Sequence, residues 1–210
     1  MPDQPPKLST DDVLKEEAKF LDRDFNQCFQ QMRYYDTQIF EICKFALTAY
    51  TAVIGAALAI YKYGIDKSID YKAPAVGILS TGLLLGLCMT ALAVRNRAYF
   101  VFVTRYINEH RGFYLARKPL GFENRTRMYT NPNLPPFFNW RSSQTLLLVV
   151  LSGLNSFLVG TIIFLYRGDE HWFWVLGTAV LFWLGQIVFA IAYLKSREKK
   201  SASRAIFGRE

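Results

Sequence analysis

Charged side chains are missing from four long stretches of this 210-residue chain, and histidine and cysteine are scarce throughout. Residues 45–61, 73–94, 144–166 and 172–194 contain no Asp, Glu, Lys, Arg or His. Proton relays, voltage sensors and coupled transport sites depend on ionisable groups at membrane depth, so this absence argues against a proton-coupled transporter. The two histidines, His110 and His171, fall at opposite ends of the apolar runs, and no cysteines are paired at ligand spacing, so no metal site is expected. Cys28, Cys43 and Cys88 are odd in number and lie outside the short loops, which leaves no disulfide framework. No Gly-rich phosphate loop and no Ser/His/Asp or Cys/His constellation is present, so neither a cofactor nor nucleophilic catalysis is expected. The polar, acidic first forty residues lack the basic start, apolar core and cleavage site of a signal peptide.

What is present is apolar length. About 20 helical residues cross a hydrocarbon core of about 30 Å, and each of the four runs is long enough. Buried helices of a soluble protein usually keep a polar stripe, and these runs have none. The expected fold is all-α: a polytopic membrane protein with four transmembrane helices, long helical cytoplasmic extensions and both termini cytoplasmic. Orientation follows from the basic residues: 21 of the 25 Lys and Arg lie in the N-terminal segment, residues 95–143 and the tail from Lys195, which four crossings place together. A bacterial inner membrane is the expected location. The pI near 9.4 reflects this asymmetry and makes nucleic acid a weakly supported partner.

The chain divides into a cytoplasmic arm (1–44), a first hairpin (45–94), a basic aromatic cytoplasmic region (95–143), a second hairpin (144–194) and a basic tail (195–210). The Pro-rich first residues read as disordered, and Ser9, Thr10, Asp11 and Asp12 read as a helix start. No Gly or Pro follows until Gly55; a helix unbroken from Asp11 to Tyr61 would be roughly 75 Å long. Leu14, Ala18, Leu21, Phe25, Cys28, Met32, Tyr35, Ile39, Ile42 and Ala46 alternate four and three residues apart, the seam of a helix that packs on another helix. A helix lying on lipid would carry a basic polar face, whereas this one is largely acidic; packing on protein, with homo-oligomerisation through the arm, is expected.

The first hairpin is expected to turn within residues 62–72. Gly82 and Gly86 form a GxxxG pair that permits close helix approach, most simply against Gly55, Ala56, Ala57 and Ala59 of the first span. The second span is expected to continue as a helix that loosens after Gly112, followed by a loop rich in Pro and Asn over 117–141. Trp140 and Arg141 suit an interfacial anchor, Trp172 and Trp174 mark the outer interface, and the triplet from Arg167 reads as a tight turn. Arg95, Arg97, Arg117, Lys118, Arg125 and Arg127 form a candidate surface for a cytoplasmic protein partner or an anionic ligand. Within the third and fourth spans, Asn155 with Ser152 and Ser156, and Gln186, are polar groups in hydrocarbon. They read either as glue between those spans or as the lining of a polar constriction on a subunit axis.

The segment Arg105-Tyr-Ile-Asn-Glu-His110 resembles the Arg-x4-6-His motif of the HEPN ribonucleases, over six residues. The resemblance implies Arg105 and His110 as catalytic residues, paired across two protomers on an RNA phosphate. Without it, Phe100, Val103, Ile107, His110 and Tyr114 form one packing face, and Arg105 and Glu109 are spaced to pair. The layout, a small basic multi-span protein with a helical arm, is similar to the membrane accessory proteins of RNA-targeting CRISPR systems and other prokaryotic antiviral effectors. That likeness implies a non-enzymatic oligomer that changes membrane permeability or potential on a cytoplasmic signal. A scaffold that tethers a cytoplasmic partner, and a membrane-bound ribonuclease, stand as alternatives.

Overall fold

The computed structural model describes residues 10–118, 121–127, 129–168 and 171–200. Four helices, α1 (Thr10–Lys67), α2 (Lys72–Ala116), α3 (Ser143–Arg167) and α4 (Trp172–Lys200), run up and down in chain order, with no strand among the described residues. All four are long and apolar enough to cross a membrane. The expected disorder of residues 1–9, the Asp169–Glu170 part of the second turn and the tail beyond Lys200 lie outside the described residues.

At 58 and 45 residues, α1 and α2 are roughly 87 and 68 Å long and extend far past their apolar runs. The arm and first span are one helix because nothing breaks it. Gly55 meets no neighbour, and Asp11 and Asp12 sit in the first turn, where the helix dipole favours them.

The first turn is tighter than hydropathy suggested, because charge ended the apolar run without ending the helix. Lys62 to Lys67 stay helical, and Ser68 takes the left-handed conformation at φ 52°. Its N–H donates to the Ile65 carbonyl and that of Ile69 to the Gly64 carbonyl, closing a Schellman-type end. A side chain at Gly64 would overlap Tyr71, whose ring packs edge-on to Tyr61. Pro74 falls in the first turn of α2, where its missing N–H costs nothing.

α1 packs along α2, α2 also along α3, and α3 along α4. Ile39, Cys43, Ala46, Tyr50 and Ala57 are the buried seam of α1, with Leu79, Met89, Ala93 and Val94 of α2 against it. The arm's seam continues outward along the same helix: Phe25 stacks on His110 and Tyr35 on Tyr99. Most of the seam expected to join subunits is therefore occupied within the chain, while Val13, Leu14 and Phe20 near its start remain exposed. On α3, Gly153 and Gly160 admit Trp183 and Ala179 of α4. Ala190 and Leu194 of α4 join the core, while Phe173, Trp174, Leu181 and Phe189 face outward, an apolar surface of the kind a bilayer covers.

The expected loosening at Gly112 does not occur; α2 continues to Ala116. Gly112 serves packing instead, since a Cβ there would come within 3.3 Å of the Thr130 carbonyl oxygen. Residues 129–142 return along the outer part of α2, so the ends of α1 and α4 and this segment lie together at one end of the molecule. The Tyr106–Asp24 and Arg105–Glu198 contacts join them there.

Candidate functional site

Two polar constructions hang on α1 and α2, one within the apolar bundle and one beyond it. Asn155, fully buried on α3, bonds to one side chain from every other helix. Its Nδ2 donates to Thr90 Oγ1 on α2 (3.0 Å) and to Gln186 Oε1 on α4 (2.8 Å), and its Oδ1 accepts from the Tyr50 hydroxyl on α1. Ser156 Oγ donates to the Ser152 carbonyl (2.8 Å), and Gln186 Nε2 reaches that same carbonyl at 3.3 Å. An amide in an apolar interior needs such partners, and here three of the four bonds an Asn side chain can make are formed.

Gly86 is what allows this knot. A side chain there would overlap both the Tyr50 hydroxyl and Asn155 Oδ1. Gly82, one turn earlier, receives Val53, whose Cγ1 lies 2.6 Å from where a Cβ would stand. The GxxxG pair thus packs on α1 through Tyr50 and Val53; Gly55, Ala56 and Ala59 take no part, being exposed. The void beside Tyr50 and Gly86 admits no water. A crevice of about 400 Å³ between α2 and α4 opens sideways next to Gln186.

The second construction is a strap, residues 131–137, hooked to one face of α2. Its prolines leave backbone carbonyls with few N–H groups to pair them, and α2 supplies donors. Arg97 Nε donates to the Phe137 carbonyl (3.1 Å) and Nη2 to that of Pro136 (2.9 Å). Arg105 Nε donates to the Pro135 carbonyl (3.0 Å), and Asn108 Nδ2 to those of Leu134 (2.7 Å) and Asn131 (3.2 Å). Phe137, fully buried, fills the space between, its ring edge-on to Phe102 and 4.8 Å below the Arg105 guanidinium.

Arg97 is only 2% exposed, so its assignment to a surface patch is corrected: its guanidinium is spent on the strap and on Gln144 Oε1 (3.3 Å). Gln144 in turn donates to Asp36 on α1 (2.9 Å). Burial pulls the Arg97 pKa down to about 10, with nearby Asp36 opposing the shift, so the side chain stays cationic at neutral pH. Arg95 is exposed elsewhere on α2, and Arg117, Lys118, Arg125 and Arg127 are exposed around the connection. Glu123 pairs with Lys118 (3.0 Å) and approaches Arg125 (3.7 Å), and Arg117 lies over Phe113.

Arg105 and His110 are not brought together. Arg105, 5% exposed, faces the strap and pairs with Glu198 of α4 at 2.8 Å, an arrangement that withholds it from a phosphate. His110 faces α1, among Phe25, Tyr106 and Tyr114, and its buried Nδ1 has no hydrogen-bond partner. Beside it the Tyr106 hydroxyl donates to Asp24 (2.5 Å), a bond that with burial pushes its pKa up to about 12. Burial and the neighbouring Asp24 also raise the Cys28 thiol, which makes it a poor nucleophile.

Between α1, α2 and the strap lies a groove of about 860 Å³, and a second cleft of about 730 Å³ follows it outward, with Arg111 bordering both. Sequence reasoning missed Tyr50, Thr90, Gln144, Asp36 and Asn108. The spacing of Arg97, Arg105 and Asn108, eight and three residues apart, places them on one helical face and is a signal that could have been read. No family model, no curated protein and no solved structure matches this chain.

Proposed function

We propose that this chain is a non-enzymatic membrane receiver: a cytoplasmic lobe of outer α1, outer α2 and the strap binds a partner or ligand, and its state reaches four membrane-spanning helices. The observation that carries this reading is continuity. α1 and α2 run without a break from the Tyr106–Asp24 contact to the Tyr50–Asn155–Thr90 knot, so a displacement of the lobe has stiff levers into the bundle. The clustering of basic residues supports a cytoplasmic lobe in an inner membrane. The exposed Leu14 of the seam, with Val13 and Phe20 beside it, is open to a second copy, and homo-oligomerisation is proposed there.

A permeability effector, with a place in antiviral defence, is the second reading. The sideways crevice at Gln186 favours it, because a neighbouring subunit could extend the polar knot there.

The test is proximity labelling in bacterial cells from an enzyme fused after α4, with membrane potential followed by a dye. A cytoplasmic partner is expected with the unaltered chain and with Asn155→Leu, and is expected to be lost with Arg97→Gln, which releases the strap. Recruitment that survives Arg97→Gln would contradict the lobe as the receiving surface. Depolarisation lost in Asn155→Leu would favour the permeability reading.

A further inference from the structure

The groove of about 860 Å³ is within the size range of small-molecule sites, and its composition is specific. Phe29 and Met32 of α1 and Phe100 and Ile107 of α2 form its walls, and Leu134 and Pro135 of the strap close it. From Arg97 to Arg111 it follows α2 for roughly 21 Å, the scale of a long acyl chain. Its inner end, at Asn139 and Ser142, adjoins the start of α3, where the apolar runs begin. At its outer end stand Arg111 and Arg127, and no carboxylate lines the groove. Among the described residues neither arginine forms an ion pair. Arg111 is held between aromatic rings, 6.0 Å from the centroid of Phe25 and 5.6 Å from that of Tyr129. The walls are built in advance, because Arg97, Arg105 and Asn108 fix the strap, so little ordering is left for a ligand to bring about.

We propose that this groove binds a single-chain anionic amphiphile drawn from the adjoining bilayer, a long-chain carboxylate, with its headgroup at Arg111 and Arg127 and its chain along α2 toward the membrane. Arg111, lying against two aromatic rings, and Arg127 at the same end of the groove offer N–H groups to a carboxylate, and the apolar length between them and the bundle takes the chain. The lining is too apolar for a small polar anion, and the two cations at its outer end, with Arg97 spent on the strap, distinguish it from a plain lipid-facing surface. This names a ligand for the receiving lobe and rests on that reading.

The experiment uses the full chain in nanodiscs with a photoreactive palmitate, the labelled peptides being mapped by mass spectrometry. Labelling is expected on peptides containing Met32, Phe100 or Leu134, competed by palmitate and about tenfold less by hexadecanol, which lacks the charge. Arg111→Gln/Arg127→Gln is expected to weaken labelling about tenfold. Thr104→Trp, which fills the groove and leaves both arginines in place, is expected to abolish it at an unchanged melting profile. Labelling confined to the outward surface of α4, equal competition by hexadecanol, or labelling indifferent to both variants would overturn the proposal. Groove labelling without partner recruitment would keep the site and remove the receiving role; recruitment without groove labelling would do the reverse.

Discussion

Asn155 shows how much one residue can organise in an apolar interior. Replacing it with Leu keeps the volume but strands Tyr50 and Gln186, and bonds of this kind average about 0.6 kcal/mol with a ceiling near 1.7 kcal/mol. Asn155→Leu is therefore expected to lose about 2 kcal/mol, read as a lowered unfolding midpoint in detergent. Gly86→Ala is expected to cost about 1–3 kcal/mol through overlap with the same pair. Tyr50→Phe, which removes the hydroxyl from the crowded site, should recover part of that loss; no recovery would mean that the overlap is relieved elsewhere. The sequence announced Asn155 and Gln186 as amides in apolar runs and announced the GxxxG pair. It did not announce their partners, because Tyr50 and Thr90 are unremarkable residues until the fold brings them within bonding distance.

The same difference between type and place governs Arg97. An arginine just past an apolar run reads as an interfacial or surface cation, and only the returning strap shows that it is buried. Breaking one partner of a buried charged group costs several kcal/mol, so Arg97→Gln is expected to destabilise the lobe by about 2–4 kcal/mol. It should also expose the connection between α2 and α3 to limited proteolysis; unchanged protease resistance there would contradict the strap's attachment.

Among the elements, α1 and α2 were legible as helices but not in their extent. Hydropathy stops at Tyr61 and Val94, while helical hydrogen bonding continues through the exposed turn to Lys67 and, in α2, through charged and aromatic turns that pack on α1 and the strap. The heptad pattern of the arm was legible as packing on protein, and its partner proved to be α2 of the same chain. Inserting Gly-Gly after Lys44 rotates the outer seam by about 200° at 3.6 residues per turn and turns Phe25 and Tyr35 away from α2. Loss of protease protection over residues 24–44, with the Asn155 knot still intact by unfolding midpoint, is the expected result. A second test acts on the Tyr106–Asp24 contact. Its phenol ionises at about 12 in the folded chain, above the usual value near 10. Folding therefore favours the neutral form: the contact's contribution is complete below about pH 10 and is lost as pH rises toward 12. Tyr106→Phe should remove this alkaline component from the unfolding midpoint, and an unaltered pH profile would show that the contact contributes nothing.

At the scale of the whole molecule, the strap is the part least visible in the sequence. Residues 117–141 read as a loop because proline and asparagine dominate them, yet proline's lack of N–H groups is what makes their carbonyls available to Arg97, Arg105 and Asn108. That pairing turns two long helices and a loop into one lobe with a groove, and the proposed function depends on the lobe and bundle acting as a unit. Hydrogen exchange in nanodiscs, comparing the unaltered chain with Arg97→Gln, tests this most directly. If the lobe's state reaches the bundle, exchange should quicken in the strap and also around Asn155 and Gln186, several turns beyond the altered contact. Quickening confined to the strap and the first turn of α3 would contradict the account.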